Sequence, residues 1–164
     1  MPGDDWETPP HIFQFLANHI LLEPAQNIIW DPFYCTGRSS EYLQAAFPQK
    51  RIVHEDRDFF TWSPAEYDVI ITNPPYSDCK KAMLELVRLD KPFAAFIRAE
   101  AIFTAYMQDL LRGGNISILV PSKRTHFLDP GTGNPVKGVR FHSLWVMYKI
   151  RQTEVETVIS MHLE

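Results

Sequence analysis

Glycine is scarce in this chain, with 7 in 164 residues, and nowhere does it form Gly-x-Gly-x-x-Gly. That disfavours a pyrophosphate-bearing dinucleotide, whose phosphates need close approach of a backbone without side chains. Cysteine is scarcer still. Cys35 and Cys79 are too few for a disulfide framework, and a reducing, intracellular setting is expected. The six histidines are scattered, none pairs with a cysteine at zinc-like spacing, and no metal is expected. No apolar run approaches the ~20 residues that cross a bilayer, and Met1-Pro2-Gly3-Asp4-Asp5 lacks the basic and apolar regions of a secretion signal. A membrane is therefore not an expected partner. Repeats, low-complexity tracts and linkers are missing as well. Hydrophobic residues make up 45% and charged ones 22%, the balance of a globular protein, and one domain over residues 1–164 is expected.

The net charge of -4 is unevenly spread. Residues 1–111 carry 9 basic and 16 acidic side chains, whereas residues 112–151 carry 7 basic ones against the single acid Asp129. A local basic stretch on an acidic protein fits a phosphate-facing surface, and solvated loop charges are the alternative.

The apolar periodicity predicts an α/β fold. Thr8-Pro9-Pro10 opens a helix through His11–Leu22, with Ile12, Phe13, Leu16 and Ile20 at helical spacing. Further helices are expected over Ser39–Phe47, over Lys80–Leu89 with Ser77 or Asp78 as its cap, and over Glu100–Leu111. Short apolar runs predict strands at 27–30, 51–54, 67–72, 93–97, 115–120 and 143–150. Strands that are apolar throughout and alternate with helices imply a mostly parallel sheet covered on both faces. No helical pattern separates 120 from 143, so the last two strands are expected to pair antiparallel. Such sheets bind ligands at the carboxyl ends of their strands, where three unusual segments fall: Asp31–Gly37, Glu55–Phe59 and Asn73–Tyr76.

Asn73-Pro74-Pro75-Tyr76 is the sharpest of these. Adjacent prolines remove two backbone donors and stiffen the turn. A planar amine with two hydrogens would find two acceptors there, the Asn73 side-chain oxygen and the Pro74 carbonyl, and Tyr76 offers a ring to stack on. Asp31-Pro32-Phe33-Tyr34-Cys35-Thr36-Gly37 crosses from strand to helix, where free N–H groups can meet a polar ligand. His54 reads as structural, and Cys79 as a passive helix residue.

Together, Glu7-Thr8-Pro9-Pro10, Asp31–Gly37, Asp58-Phe59-Phe60-Thr61-Trp62 and Asn73–Tyr76 resemble, in this order, the amino-methyltransferases that use S-adenosylmethionine. The resemblance is greatest to the N6-adenine DNA methylases of the Taq type and the phage Dam-like type. It implies a Rossmann-like class I methyltransferase fold of the seven-stranded type with an antiparallel final strand. It implies that Thr8 and Pro9 border the methionine part of the cofactor, and that Asp31, Pro32, Phe33, Cys35 and Gly37 form the main cofactor loop. The family usually has glycine where Cys35 stands. An acid after the second strand should bind the ribose hydroxyls. Glu55 and Asp56 both qualify, with Asp56 preferred. Asp58 should accept from the cofactor's adenine amine while Phe59 packs on its ring. Asn73, Pro74, Pro75 and Tyr76 are the implied catalytic residues.

An adenine inside a duplex cannot reach such a pocket unless it is flipped out. Phe127 or Phe141 could approach the base from the side opposite Tyr76, or belong to the core. The loop 121–142 is long for a packed domain. It is expected beside the substrate, with Lys123, Arg124 and Arg140 as phosphate contacts. It is too short to be the target-recognition domain of larger family members, so a partner subunit, weak specificity or a single-stranded target is expected. DNA is the preferred substrate. RNA adenine, a protein glutamine amide and a non-catalytic subunit are the alternatives.

Overall fold

The computed structural model describes residues 6–153; the expected domain over 1–164 reaches beyond them at both ends. Helix α1 (Pro10–His19) leads into β1 (Ile20–Leu21), followed by β2 (Ile28–Trp30), α2 (Ser39–Ala46), β3 (Arg51–Val53) and β4 (Val69–Thr72). Then come α3 (Cys79–Arg88), β5 (Phe93–Arg98), α4 (Ala105–Arg112), β6 (Ile116–Leu119), β7 (Ser143–Tyr148) and β8 (Arg151–Gln152).

Six strands form the main sheet in the order β3-β2-β4-β5-β7-β6. The first four run parallel, while β7 lies antiparallel to both β5 and β6. The mixed sheet and its antiparallel final strand match the expectation. The main sheet has six strands among the described residues and not the seven that the resemblance implies, and the stretch between β3 and β4 runs as turns and loop. That stretch instead presses Phe59, Trp62 and Tyr67 onto Trp30, with ring centroids 5.6, 6.1 and 4.8 Å away.

Alternation along the buried strands divides the core in two. Val69 and Ile71 of β4, Ala94 and Phe96 of β5, and Trp145 and Met147 of β7 face α1 and α2. Ile70, Phe93, Ala95, Ile97, Leu144 and Val146 face α3 and α4. Both faces being covered explains why these strands are apolar at every position.

Three helix boundaries depart from periodicity. Helix α1 stops at His19 because Ile20 and Leu21 are drawn into an antiparallel pair with β8. A 3-10 turn, Tyr76–Asp78, precedes α3, and Asp78 stands at the cap position without a side-chain cap bond. The segment expected as one helix from Glu100 splits into a 3-10 turn (Ala99–Phe103) and α4. Thr104 between them is extended, and its hydroxyl bonds the Ala101 carbonyl at 2.6 Å.

The packing makes a direct comparison possible. Phe96 is fully buried, 4.9 Å from the Trp145 ring and 6.0 Å from Phe127. Phe96→Ala should cost about 3–5 kcal/mol in urea unfolding, whereas Phe103→Ala, at a site 74% exposed, should stay within about 0.5 kcal/mol. Equal losses at the two sites would contradict this division of the core.

Candidate active site

From β2 the chain crosses to β3 on one side and later returns to β4 on the other. Loops that diverge at such a switch point leave a crevice between them. The crevice here is a cleft of about 290 Å³, walled by Pro32, Phe33, Tyr34 and Cys35 after β2, by Asp56–Phe60 after β3, and by Asn73 and Pro75 after β4. Trp6 and Asp78 complete it. A narrower recess of about 40 Å³ shares Trp6, Phe33, Tyr34, Cys35 and Asn73 and reaches Glu7, Thr8 and Asp31.

Asp31 is 2% exposed and holds the strand tips together. Its Oδ1 accepts from the Thr72 hydroxyl on β4 at 2.6 Å, and its Oδ2 from the Ser39 hydroxyl of α2 at 2.7 Å. His54 Nδ1 lies 2.9 Å from the Asp31 carbonyl and 3.3 Å from Oδ2, while its Nε2 lies 3.2 Å from Ser39 Oγ. His54 therefore acts as a strut, and the Tyr34 ring stacks on it at 4.9 Å. Burial raises the Asp31 pKa, opposed by His54, by the two hydroxyls and by the Phe33 N–H.

The loop after β2 needs special backbone. Gly37 has φ +82°, and a Cβ there would meet the Tyr34 hydroxyl oxygen at 2.7 Å. Cys35 has φ +49°, a region that favours glycine. Glu7 ties this loop to the rest of the site. It is buried, pairs with Arg38 at 3.0 Å and accepts from the Thr36 hydroxyl. Arg38 also donates to the Pro130 carbonyl, and the Glu7 backbone pairs with Leu128. The long loop 121–142 is thereby tied to the segment that carries Trp6 and Glu7, and none of its residues lines the cleft or its recess. Burial raises the Glu7 pKa against the pull of Arg38.

At the tip of β4, the Asn73 side-chain oxygen is buried and has no hydrogen-bond partner. Pro74 is buried, and the Pro75 carbonyl accepts the Asp78 N–H at 3.1 Å. Tyr76 turns away from the cleft into a cluster with Phe141 at 5.1 Å, Phe127 at 6.0 Å and Trp6 at 6.2 Å, meeting each edge to face. Arg98 covers one face of the Tyr76 ring, its guanidinium carbon 4.3 Å from the centroid.

The expected cofactor residues are partly assembled. Pro32, Phe33, Cys35, Asp56, Asp58 and Phe59 line the cleft, and Thr8 and Asp31 line its recess. Pro9 stands behind at the cap of α1, and Gly37 shapes the loop without lining it. Of the two candidate acids after β3, Asp56 lines the cleft; Glu55 lies outside it, 3.9 Å from Arg57. Asp58 spends its oxygens locally, accepting the Phe60 N–H at 2.9 Å and the Thr61 hydroxyl at 3.3 Å. Phe59 is buried against Phe33 at 5.0 Å, so it forms a wall.

Lys123, Arg124 and Arg140 are exposed on the loop. Phe127 is fully buried and contacts Phe96, so it belongs to the core and no base can reach it. Phe141 stacks on Trp6 at 5.9 Å with an interplanar angle of 10°. Sequence reasoning missed Trp6, Tyr34 and Arg98. Trp6 could have been found as the aromatic adjoining Glu7-Thr8, and Tyr34 as the one aromatic of its motif left without a role.

No family model matches this chain, and no curated protein matches it in sequence. Its fold is similar to that of a Pyrococcus horikoshii protein described as an RNA methyltransferase, with TM-score 0.52 and 10% identity over 93% of this chain and 90% of that one. It is also similar to the 23S rRNA methyltransferase ErmE, with TM-score 0.50 and 12% identity over 95% and 72% of the two chains. A dimethyladenosine transferase from Plasmodium falciparum gives TM-score 0.48 at 12% identity over 90% of this chain; the chain spans 63% of that protein's length. The fold is thus the Rossmann-like one of methyltransferases, with six strands in its main sheet. No helix among the described residues is long and apolar enough to cross a membrane.

Two substitutions test the architecture of the site. Because the folded state holds a proton on Asp31 at pH values where the unfolded chain has lost it, stability falls as pH rises from the ordinary aspartate range through the raised pKa. Asp31→Asn should flatten that part of a plot of urea midpoint against pH, and an unchanged slope would remove Asp31 as its source. Gly37→Ala should cost about 1–2 kcal/mol from φ alone, more with the Tyr34 contact, in the same unfolding assay.

Proposed function

We propose that this protein transfers a methyl group from S-adenosylmethionine to the N6 amine of adenine in nucleic acid, with DNA as the preferred substrate. The observation that carries the reading is the Asn73 oxygen, buried and unbonded at a strand tip that lines the cleft. An unsatisfied buried acceptor is costly and is matched by a donor from outside the chain.

The cleft fits the cofactor by size and charge. Its volume is near the lower end of small-molecule sites, about 300 Å³. Asp56, Asp58 and Asp78 outnumber Arg57 on its walls, which suits a ligand bearing a sulfonium. Phe33 and Phe59 supply a flat apolar wall for an adenine ring, and Asp56 stands where it can accept from ribose hydroxyls. The recess carries Thr8, whose buried hydroxyl is unpartnered, and Asp31, as befits the amino-acid end of the molecule. When bound, the cofactor supplies an activated methyl group.

The chain's own residues then orient the acceptor. Adenine N6 is a poor nucleophile because its lone pair is delocalised into the ring. Accepting both N6 hydrogens at the Asn73 oxygen and the Pro74 carbonyl localises that pair and aims it at the methyl carbon. The prolines hold both acceptors in place beforehand, so positioning and electrostatics do most of the work. Trp6 lines the cleft with Asn73 and is the aromatic surface that a flipped base meets there, since Tyr76 lines neither the cleft nor its recess. Lys123, Arg124 and Arg140, exposed on the loop, meet phosphates. A partner subunit supplying target recognition is compatible with this arrangement.

RNA is the second reading, favoured by the likeness in fold to two proteins described as RNA methyltransferases. Transfer of a labelled methyl group to duplex DNA, single-stranded DNA, RNA and protein separates the readings. We expect adenine-dependent labelling of DNA and a loss of about 10²–10³-fold in Asn73→Ala, with cofactor affinity by calorimetry retained. Full activity in that variant removes Asn73 from the chemistry, and no cofactor binding by the wild-type protein removes the enzymatic reading.

A further inference from the structure

Arg98 ends β5, the strand beside β4, and belongs to none of the sequence motifs. Its guanidinium carbon lies 4.3 Å from the Tyr76 centroid and 4.3 Å from that of Phe141. Those rings meet at 83°, so the cation fills the corner between them. Its Nε is buried and has no hydrogen-bond partner, and Arg98 takes part in none of the ion pairs among the described residues.

A half-buried guanidinium ordinarily meets a carboxylate, because a charge removed from water needs a counter-charge. Here two aromatic faces provide part of that compensation and hold the planar fork still. Its donors remain matched to an oxyanion from outside the chain. Arg98 is the register partner of Ser143 in β7, and the Ala99 N–H bonds the His142 carbonyl at 2.9 Å. Those contacts place Arg98 against the end of the long loop where Arg140 is exposed.

We propose that Arg98 binds a phosphate of the nucleic-acid strand that carries the target base, its guanidinium braced on Tyr76 and Phe141 beside the Asn73–Pro75 turn. This deepens the function proposed above and rests on it for the identity of the strand. The cofactor carboxylate is the other source of the same oxyanion chemistry. Arg98 lines neither the cleft nor its recess, which favours phosphate.

Arg98→Met keeps an apolar stem against the rings and removes the charge. Binding of a fluorescent single-stranded oligonucleotide, followed against salt, should weaken roughly ten- to hundredfold. The slope of log affinity on log salt should shrink by about 0.7, the value for one phosphate on a single strand. Arg98→Lys should keep the slope while losing part of the affinity, and it carries the test should Arg98→Met not fold. Calorimetric affinity for S-adenosylmethionine should not change in either variant. An unchanged slope in Arg98→Met, or an Arg98→Lys protein that binds like wild type, overturns the assignment, as does a loss that falls on the cofactor instead. Methyl transfer that depends on Asn73 but leaves the slope unaltered removes Arg98 alone. A shortened slope in a protein that transfers no methyl group keeps the phosphate contact and removes the reaction. A wild-type protein that binds no oligonucleotide removes both.

Discussion

The Asp31 carboxylate is the constraint around which this site is built. A buried acid is tolerable only if its oxygens are hydrogen-bonded, and the donors come from three places in the chain. Thr72 reaches it from β4, Ser39 from α2, and His54 stands beside it from the end of β3. Satisfying one carboxylate therefore fixes the relative positions of three strand ends and the helix that links two of them. The cleft at the switch point keeps its width for that reason.

A second tie holds the outer wall. Trp6, Tyr76, Phe127 and Phe141 come from the amino-terminal segment, the proline turn and the two ends of the long loop, and their rings meet within 5.1 to 6.2 Å. Closing a loop of this length costs little more than closing a shorter one. The burial of Phe127 and the Glu7–Leu128 pairing outweigh that cost and order the segment beside the cleft. The same cluster braces a cation, Arg98, outside the acidic cleft. Acids thus line the cleft, and positive charge stands farther out on Arg98 and the long loop.

Most of the fold was legible in the sequence. Strands apolar at every position specified a doubly covered sheet, and the missing helix between β6 and β7 specified the antiparallel pair. These are local signals, set by which side chains can face a core on both sides of a strand. What failed was boundary and count. Helix α1 lost Ile20 and Leu21 to a pairing with β8, more than a hundred residues away along the chain, and the main sheet has six strands where the resemblance implied the seven-stranded type.

The segments that approach the cleft were legible, because Asp31–Gly37, Glu55–Phe59 and Asn73–Tyr76 each follow a strand, and strand ends in a parallel sheet converge on one edge. Within those segments the sequence left choices that only packing could make. Asp56 lines the cleft and Glu55 does not, although the two are adjacent acids of the same chemistry. Phe127 joined the core, and Tyr76 received Arg98 on one of its faces. Each of these depends on contacts between residues far apart in the chain, and no local pattern of polarity or spacing encodes which distant side chain will arrive first.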